Sequence, residues 1–270
     1  MTNKEILEKF KNEGYYVAKD VVNENDIERI LESVSRAYFK HNNNSKFQKD
    51  KNPWNNLEYH KEIAKFREEN PDDFSMVYDS CQANIPLTQL ISSKEIASIG
   101  SVLLECRDMD LSVGGNMIRM DTPNDTRNKT AWHQEIAFVR NPGLVLWIPL
   151  VEITSNIGPL HILEKSHTNG EIIIERNDIH DYKTSRVSKS EIPEQELNKY
   201  DEKAIEINKG DALFFDTKLI HKSGDNVSEK IRFSCQTRFS NIVSQDFAAY
   251  RPDMVFNPHS IEKLNRKLYD

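Results

Sequence analysis

The chain is 270 residues long with a formal net charge of −7 and a pI near 5.7, so it lacks the basic footprint that nucleic-acid binding requires. No apolar run reaches the ~18 residues a membrane span needs, and Met1-Thr2-Asn3-Lys4-Glu5 lacks the apolar core of a signal peptide. Three cysteines, Cys81, Cys106 and Cys235, are odd in number and far apart, which reads as reduced thiols in a cytoplasmic protein rather than a disulfide framework or a zinc site.

Such a length holds one large domain or two small ones. Thr2 and Glu5 have capping-box spacing, and Gly14 suits the position after a helix end, which predicts a helix over residues 3–13. Tyr15-Tyr16-Val17-Ala18 predicts a short strand, and the stripe Ile27, Ile30, Leu31, Val34, Tyr38 predicts a longer helix. Residues 40–56, with Pro53 and Trp54, read as a loop, and residues 57–105 as mostly helical with breaks near Pro71 and Pro86. His60 and Glu62 form a His-x-Glu pair, but residues two apart on a helix diverge by about 200°, so they read as a solvated helix face. The first 105 residues form a helical layer with no chemistry in view.

The texture changes at Leu111. Gly114-Gly115 precede a strand at Met117–Met120, a polar loop covers 121–130, and a strand carrying His133 continues through Ile136, Phe138 and Val139. An Asn141-Pro142-Gly143 turn, a strand ending at Leu150, a turn at Ser155–Pro159 and a strand at Leu160–Leu163 come next. Residues 164–203 are charged and weakly patterned apart from Ile172-Ile173-Ile174, and are too long for an ordinary connection, which marks a functional lid or a mobile segment. Strands return at 204–207, 212–215, 219–221 and 231–239, and the tail ends in an amphipathic helix over 261–268. Short strands at this spacing predict a sandwich or barrel. The expected fold is mainly β with flanking helices, in one domain over 1–270: an outer helical layer (1–110), a core (111–240) with the lid at 164–203, and a tail (241–270).

Trp132-His133-Gln134-Glu135 is the stretch with the most chemistry. On a strand, residues i and i+2 share a face, so His133 and Glu135 can converge on one ion; a buried structural histidine is the plainer reading of the same residues. A ferrous site takes two neutral imidazoles and one carboxylate on one face, leaving three positions for substrate and dioxygen. His221, 88 residues on, ends the strand Leu219-Ile220-His221 and fits the third position. His161 and His167 compete, although His167 also fits a turn cap; the residues downstream of His221 favour it over both. Arg232 lies eleven residues on, in a strand whose one face is Ile231, Phe233 and Cys235 and whose other is Arg232, Ser234, Gln236 and Arg238. A polar row on an inner strand is costly unless it lines a cavity, and an arginine fork clasps a carboxylate through two charge-assisted hydrogen bonds. A surface ion pair is the simpler alternative for Arg232. Arg238 lies about 20 Å further along, at roughly 3.3 Å per residue, so the two arginines cannot grip one small diacid and one of them has a different role.

Over residues 114–240 the sequence resembles the phytanoyl-CoA dioxygenase family of iron(II)/2-oxoglutarate oxygenases, with a fainter echo in Glu13-Gly14-Tyr15-Tyr16-Val17. The resemblance is carried by Trp132-His133-Gln134-Glu135, Leu146-Trp147-Ile148-Pro149-Leu150, Asn156-Ile157-Gly158-Pro159-Leu160 through Ser166-His167, Gly210-Asp211, and His221-Lys222-Ser223 with Arg232. It implies a double-stranded β-helix, the cupin-like jelly roll, with helices packed outside. It implies His133, Glu135 and His221 as ligands of Fe(II), with 2-oxoglutarate as cosubstrate and O2 as oxidant. Arg232 would bind the distal carboxylate of 2-oxoglutarate, helped by Ser223, with Trp147 and Met117 bordering the cosubstrate. Two features depart from the family. Glu135 stands where Asp is usual, one methylene longer but still able to ligate through one oxygen; retaining a carboxylate there argues against halogenation. Glu164-Lys165 stands where Pro-Gly is common, which touches a turn.

The expected activity is hydroxylation of a C–H bond of a small-molecule metabolite, with succinate and CO2 as co-products. Two other readings are a metal-binding jelly roll that senses a ligand without oxidising it, and a cupin-like hydrolase or isomerase on zinc, which two imidazoles and a carboxylate also suit. The expected partner is a small-molecule substrate, with neither nucleic acid nor membrane; the sequence leaves the oligomeric state open.

Overall fold

The structure, a computed structural model, describes residues 1–82, 84–126, 129–136, 143–172, 192–245 and 247. The expected Asn141-Pro142-Gly143 turn, the strand continuation through Phe138 and Val139, most of Ile172–Ile174 and the C-terminal helix over 261–268 lie wholly or partly outside these residues.

Helix α1 (Asn3–Glu13) starts on the capping box of Thr2 and Glu5 and stops at Gly14, whose φ of 82° is left-handed. There the chain turns directly into strand β1 (Tyr15–Ala18). Helix α2 (Glu24–His41) is capped by Asn23 and buries the stripe of Ile27, Ile30, Leu31, Val34 and Tyr38. The helical stretch breaks near Pro71 and Pro86, as expected, and each proline sits in the first turn of the next helix: α3 (Leu57–Glu69) is followed by α4 (Pro71–Ser80), α5 (Ile85–Ile91) and then α6 (Lys94–Leu103). Proline lacks only an N–H that has no partner in a helix's first turn.

His60 is not on a solvated face as its charged surroundings suggest: it is 2 % exposed. Its Nδ1 accepts from the backbone N–H of Ile231 at 3.0 Å, which fixes the tautomer, so Nε2–H donates to the Trp54 carbonyl at 2.8 Å. Glu62, on another side of α3, accepts from the Tyr38 hydroxyl at 2.9 Å. Burial lowers the pKa of His60. An unfolded chain therefore takes up the proton first as pH falls, and stability that is complete above about 6.5 declines below it. We expect the urea midpoint of the parent to drop between pH 7.5 and 5.5, and to drop less in His60→Gln; equal slopes would mean His60 does not contribute.

Eight strands are described. β2 (Leu111–Asp121), β3 (Gly143–Pro149), β6 (Ala212–Asp216) and β8 (Arg232–Asn241) join β1 in an antiparallel sheet of order β1-β6-β3-β8-β2. β4 (Leu160–Leu163), β5 (Glu202–Ile205) and β7 (His221–Ser223) form a second sheet of order β5-β4-β7. Both faces of the larger sheet are covered, which is why its central strand β3 reads as an unbroken apolar run. Leu144, Leu146, Ile148, Phe214, Phe233 and Cys235 face the core shared with the helices. Val145, Trp147, Leu213 and Phe215 face the second sheet, against Leu160, Ile162 and Ile205.

The N-terminal segment is stitched to the sheet edge. β1 pairs with β6 in the register Tyr15↔Phe215 to Ala18↔Ala212. The Gly210-Asp211 turn serves the same junction: the buried Asp211 carboxylate accepts from the Asp20 backbone N–H at 3.0 Å and from Lys19 Nζ at 2.7 Å. Within 164–203 the described parts are a 3₁₀ turn at Ser166–Asn169 and a short helix, α7 (Glu194–Leu197), before β5 begins at Glu202.

Candidate metal centre

Strand β7 begins at His221, and there the His133 segment pairs with it. Each histidine donates its N–H to the other's carbonyl at 3.0 Å. Directly opposed antiparallel residues send side chains to the same face, and the ring centroids lie 4.2 Å apart. The ring of Phe215 packs edge-on against His221 at 4.6 Å. Among the described residues 129–136 the expected regular strand is not formed: the segment makes one isolated bridge at His133, with bends at Trp132 and Glu135. Alternation nevertheless survives. Glu135 donates its N–H to the Thr217 carbonyl at 2.8 Å, while Gln134 points away, its Nε2 bonded to the carbonyls of Gly170 and Lys218 and its Oε1 to the Ile172 N–H.

The two imidazoles are set in one tautomer by the backbone. Nδ1 of His133 lies 2.8 Å from the Ala131 carbonyl oxygen, and Nδ1 of His221 lies 2.9 Å from that of Leu219. A carbonyl can only accept, so each Nδ1 carries a proton and each Nε2 is the nitrogen turned toward Glu135. Both Nε2 atoms face the same carboxylate oxygen, Oε1 of Glu135, at 3.5 Å and 3.8 Å. The three atoms lie within 4.8 Å of one another, and no other such cluster of His, Cys, Asp or Glu occurs among the described residues. Burial, and then the neighbouring His133, lower the pKa of His221, favouring its neutral form. Burial would raise that of Glu135, but the charge of Arg238 and the two imidazoles outweigh it and hold the carboxyl well below the usual range.

Two ligand atoms about 2.1 Å from a shared ion and not opposed to each other stand roughly 3–3.5 Å apart. The Glu–His spacings need only a small adjustment to reach this. Two imidazoles that present Nε2 and one buried carboxylate oxygen form a donor set that fits a divalent ion, with each histidine already oriented by its other nitrogen. His161 and His167 are elsewhere: His161 pairs with Glu202 at 2.6 Å, and His167 Nε2 reaches the Lys11 carbonyl at 3.1 Å.

Of the remaining residues singled out from sequence, Met117, Trp147 and Arg232 lie on the large sheet, on one face with Gln236, and Ser223 ends β7 of the smaller sheet. Met117 and Trp147 both flank Gln236 in register, from β2 and β3, and Gln236 Nε2 lies 3.9 Å from Met117 Sδ. Arg232 is buried and points inward, not to the surface, and it is already engaged. Its Nε and Nη2 donate to Asp121 Oδ2 at 3.1 and 2.8 Å, and its Nη1 donates to the Gly158 carbonyl. Ser223 Oγ lies 2.8 Å from Thr130 Oγ1. Arg238 has its own role, on Glu135.

The sequence reading missed Asp121, Arg119, Thr130 and Phe215. Arg119 donates to both oxygens of Asp121, at 3.1 and 3.0 Å. Their i, i+2 spacing on a strand, on the same parity as Met117, was the available signal. Nothing local marks Thr130 or Phe215.

The phytanoyl-CoA dioxygenase (PhyH) family profile matches residues 10–234. No curated protein matches the sequence significantly. Among solved structures, the non-heme alpha ketoglutarate dependent carbocyclase SnoK from nogalamycin biosynthesis superposes with a TM-score of 0.57 at 14 % identity, over 87 % of this chain and 83 % of that one. EvdO2 from Micromonospora carbonacea var. aurantiaca, complexed with 2-oxoglutarate, gives 0.54 at 16 %, over 93 % and 96 %. The epimerase SnoN, in complex with Fe3+, alpha ketoglutarate and nogalamycin RO, gives 0.52 at 13 %, over 88 % and 83 %.

Proposed function

This chain belongs to the phytanoyl-CoA dioxygenase (PhyH) family, and from that premise we propose a non-haem iron(II)- and 2-oxoglutarate-dependent dioxygenase that hydroxylates a C–H bond of a small-molecule metabolite, with succinate and CO2 as co-products. One observation carries the reading: two backbone-oriented histidines, 88 residues apart in sequence, aim their free nitrogens at one oxygen of a buried glutamate. Iron(II) held by His133, Glu135 and His221 would supply dioxygen activation coupled to oxidation of 2-oxoglutarate. The likeness to EvdO2 and SnoN, whose structures hold 2-oxoglutarate, supports the same cosubstrate here.

The chain's own contribution is charge, shape and exclusion of water. The inner face carries three buried guanidiniums, Arg119, Arg232 and Arg238, against two buried carboxylates, Asp121 and Glu135. That leaves a positive excess suited to a dianionic keto-acid. Arg232 would hold its distal carboxylate with help from Ser223, exchanging part of its bond to Asp121 for the ligand, while Trp147 and Met117 border the cosubstrate. His133 is the most exposed ligand, its side chain 20 % accessible against 4 % for His221. Substrate therefore approaches on the His133 side, while Phe215 closes the His221 side. The surrounding fold we read as a double-stranded β-helix within a single domain; most of the segment expected to act as a lid, 173–191, lies outside the described residues.

A second reading arises from the Asp121 contacts: Arg232, already satisfied, is structural, and the protein binds a metal and a ligand without oxidation. Anaerobic titration of the iron-loaded protein with 2-oxoglutarate separates the two, since a keto-acid chelate gives a weak visible charge-transfer band. Admission of oxygen with a metabolite extract should then yield succinate and a product heavier by one oxygen. A product lighter by two hydrogens, or of unchanged mass as an epimerase would give, would replace hydroxylation while keeping the class. Absence of both band and succinate would remove the class.

A further inference from the structure

We infer that Arg238 is a positioning residue that holds Glu135 to one-oxygen ligation, and that the glycine bulge in β2 seats it. The inference rests on the reading of His133, Glu135 and His221 as ligands. The carboxylate of Glu135 is divided between two sets of partners. Oε1 faces both imidazole nitrogens at 3.5 and 3.8 Å, whereas Oε2 accepts two bonds from Arg238, from Nε at 3.0 Å and Nη2 at 2.8 Å.

The division matters because a carboxylate can occupy one or two positions on an ion. With six positions and two histidines, a one-oxygen glutamate leaves three, enough for a two-point keto-acid chelate and one further ligand. A two-oxygen glutamate leaves two, and the chelate fills them. Glutamate is more prone to this than aspartate, because its extra methylene adds a torsion that lets the group rotate about its own axis. Two charge-assisted bonds to the outer oxygen stop that rotation.

The guanidinium is itself fixed by the neighbouring strand. Pairing of β2 with β8 shifts register between Gly114, which pairs with Arg238, and Met117, which pairs with Gln236, so that Gly115 and Asn116 bulge opposite Thr237 beside Arg238. In the bulge Gly115 adopts φ +65°, and its carbonyl accepts from Arg238 Nη1 at 2.9 Å. A Cβ on Gly115 would lie 2.9 Å from that same Nη1 and 3.3 Å from Cδ. Only glycine lets the backbone approach this closely, in a conformation other residues resist. From the other face of β8, Thr237 Oγ1 pins the bulge, 3.1 Å from the Gly114 carbonyl oxygen and 2.6 Å from Asn116 Oδ1.

The test compares full-length parent, Arg238→Gln, Arg238→Lys and Gly115→Ala by anaerobic Fe(II) titration and by the visible band on adding 2-oxoglutarate, beside thermal melts. Removing an outer partner of a metal ligand typically costs about 10–100-fold in metal affinity. We expect a loss of that size in Arg238→Gln, with a weakened or shifted chelate band at saturating iron. Arg238→Lys retains the buried charge and so guards the fold, but it cannot reproduce the fork and should also bind iron at least about tenfold more weakly. Gly115→Ala leaves every ligand in place and should weaken the band. A merely structural arginine would lower the melting midpoint while folded variants kept the parent's iron affinity and band. That result beside a competent parent overturns this inference alone. A parent that takes up no iron overturns the ligand reading and this inference with it.

Discussion

Replacing His221 with alanine should abolish tight iron binding and reduce 2-oxoglutarate turnover to background. His221 would lose a direct ligand nitrogen, so the loss of iron affinity should exceed the roughly 10–100-fold that an outer partner's removal costs. The fold should survive, because the bridge between the two segments is made by backbone groups that alanine retains. The ring leaves a space beside Phe215 and His133, which costs stability but breaks no hydrogen-bonded ladder. His161→Ala is the matched control: that ring is partly exposed and paired with Glu202, so iron binding should be unchanged. Iron titration with a thermal melt decides the matter. A folded His221→Ala that binds iron like the parent would remove His221 from the ligand set.

The second large effect is expected at Asp121. Its carboxylate is buried between Arg119 and Arg232 and accepts from both. Burial alone would raise its pKa, but the two guanidiniums more than reverse this and lower it to about 2. Asp121→Asn keeps the shape and removes the charge, leaving two buried cations without their shared counterion. Breaking a buried ion pair in this way costs about 3–5 kcal/mol, so the urea midpoint should fall steeply. Because the folded pKa lies below the ordinary 3.8, the contribution is complete above about pH 4 and is lost as pH falls toward 2. The parent should therefore lose stability across that window, and the variant should lose less there. If the iron-loaded variant is stabilised by 2-oxoglutarate more than the parent is, Arg232 takes up the keto-acid in place of Asp121. Equal stabilisation would assign Arg232 a structural role.

Several parts of the fold were legible because their causes are local. The capping box at Thr2 and Glu5 and the left-handed Gly14 bound α1 by contacts within three or four residues. The stripe on α2 and the alternation along β8 follow from periodicity alone. His60 was misread for the complementary reason. Its neighbours in sequence are charged, but its partners, the Trp54 carbonyl and the Ile231 N–H, are brought to it by packing of α3 against the sheet. The segment around His133 looked like a regular strand, yet its described residues make one bridge, because whether a stretch joins a ladder depends on which edge lies beside it.

The sequence by itself determined which residues alternate toward one side: His133 with Glu135, and Arg232 with Ser234, Gln236 and Arg238. Those are consequences of backbone geometry two residues at a time. Only the tertiary structure decided who meets whom across 88 to 111 residues of separation: His221 beside His133, Arg238 on Glu135, and Asp121 between two arginines. Such pairings depend on strand order, register and a bulge, which are set by burial of the whole sheet and leave no local mark on the residues they join.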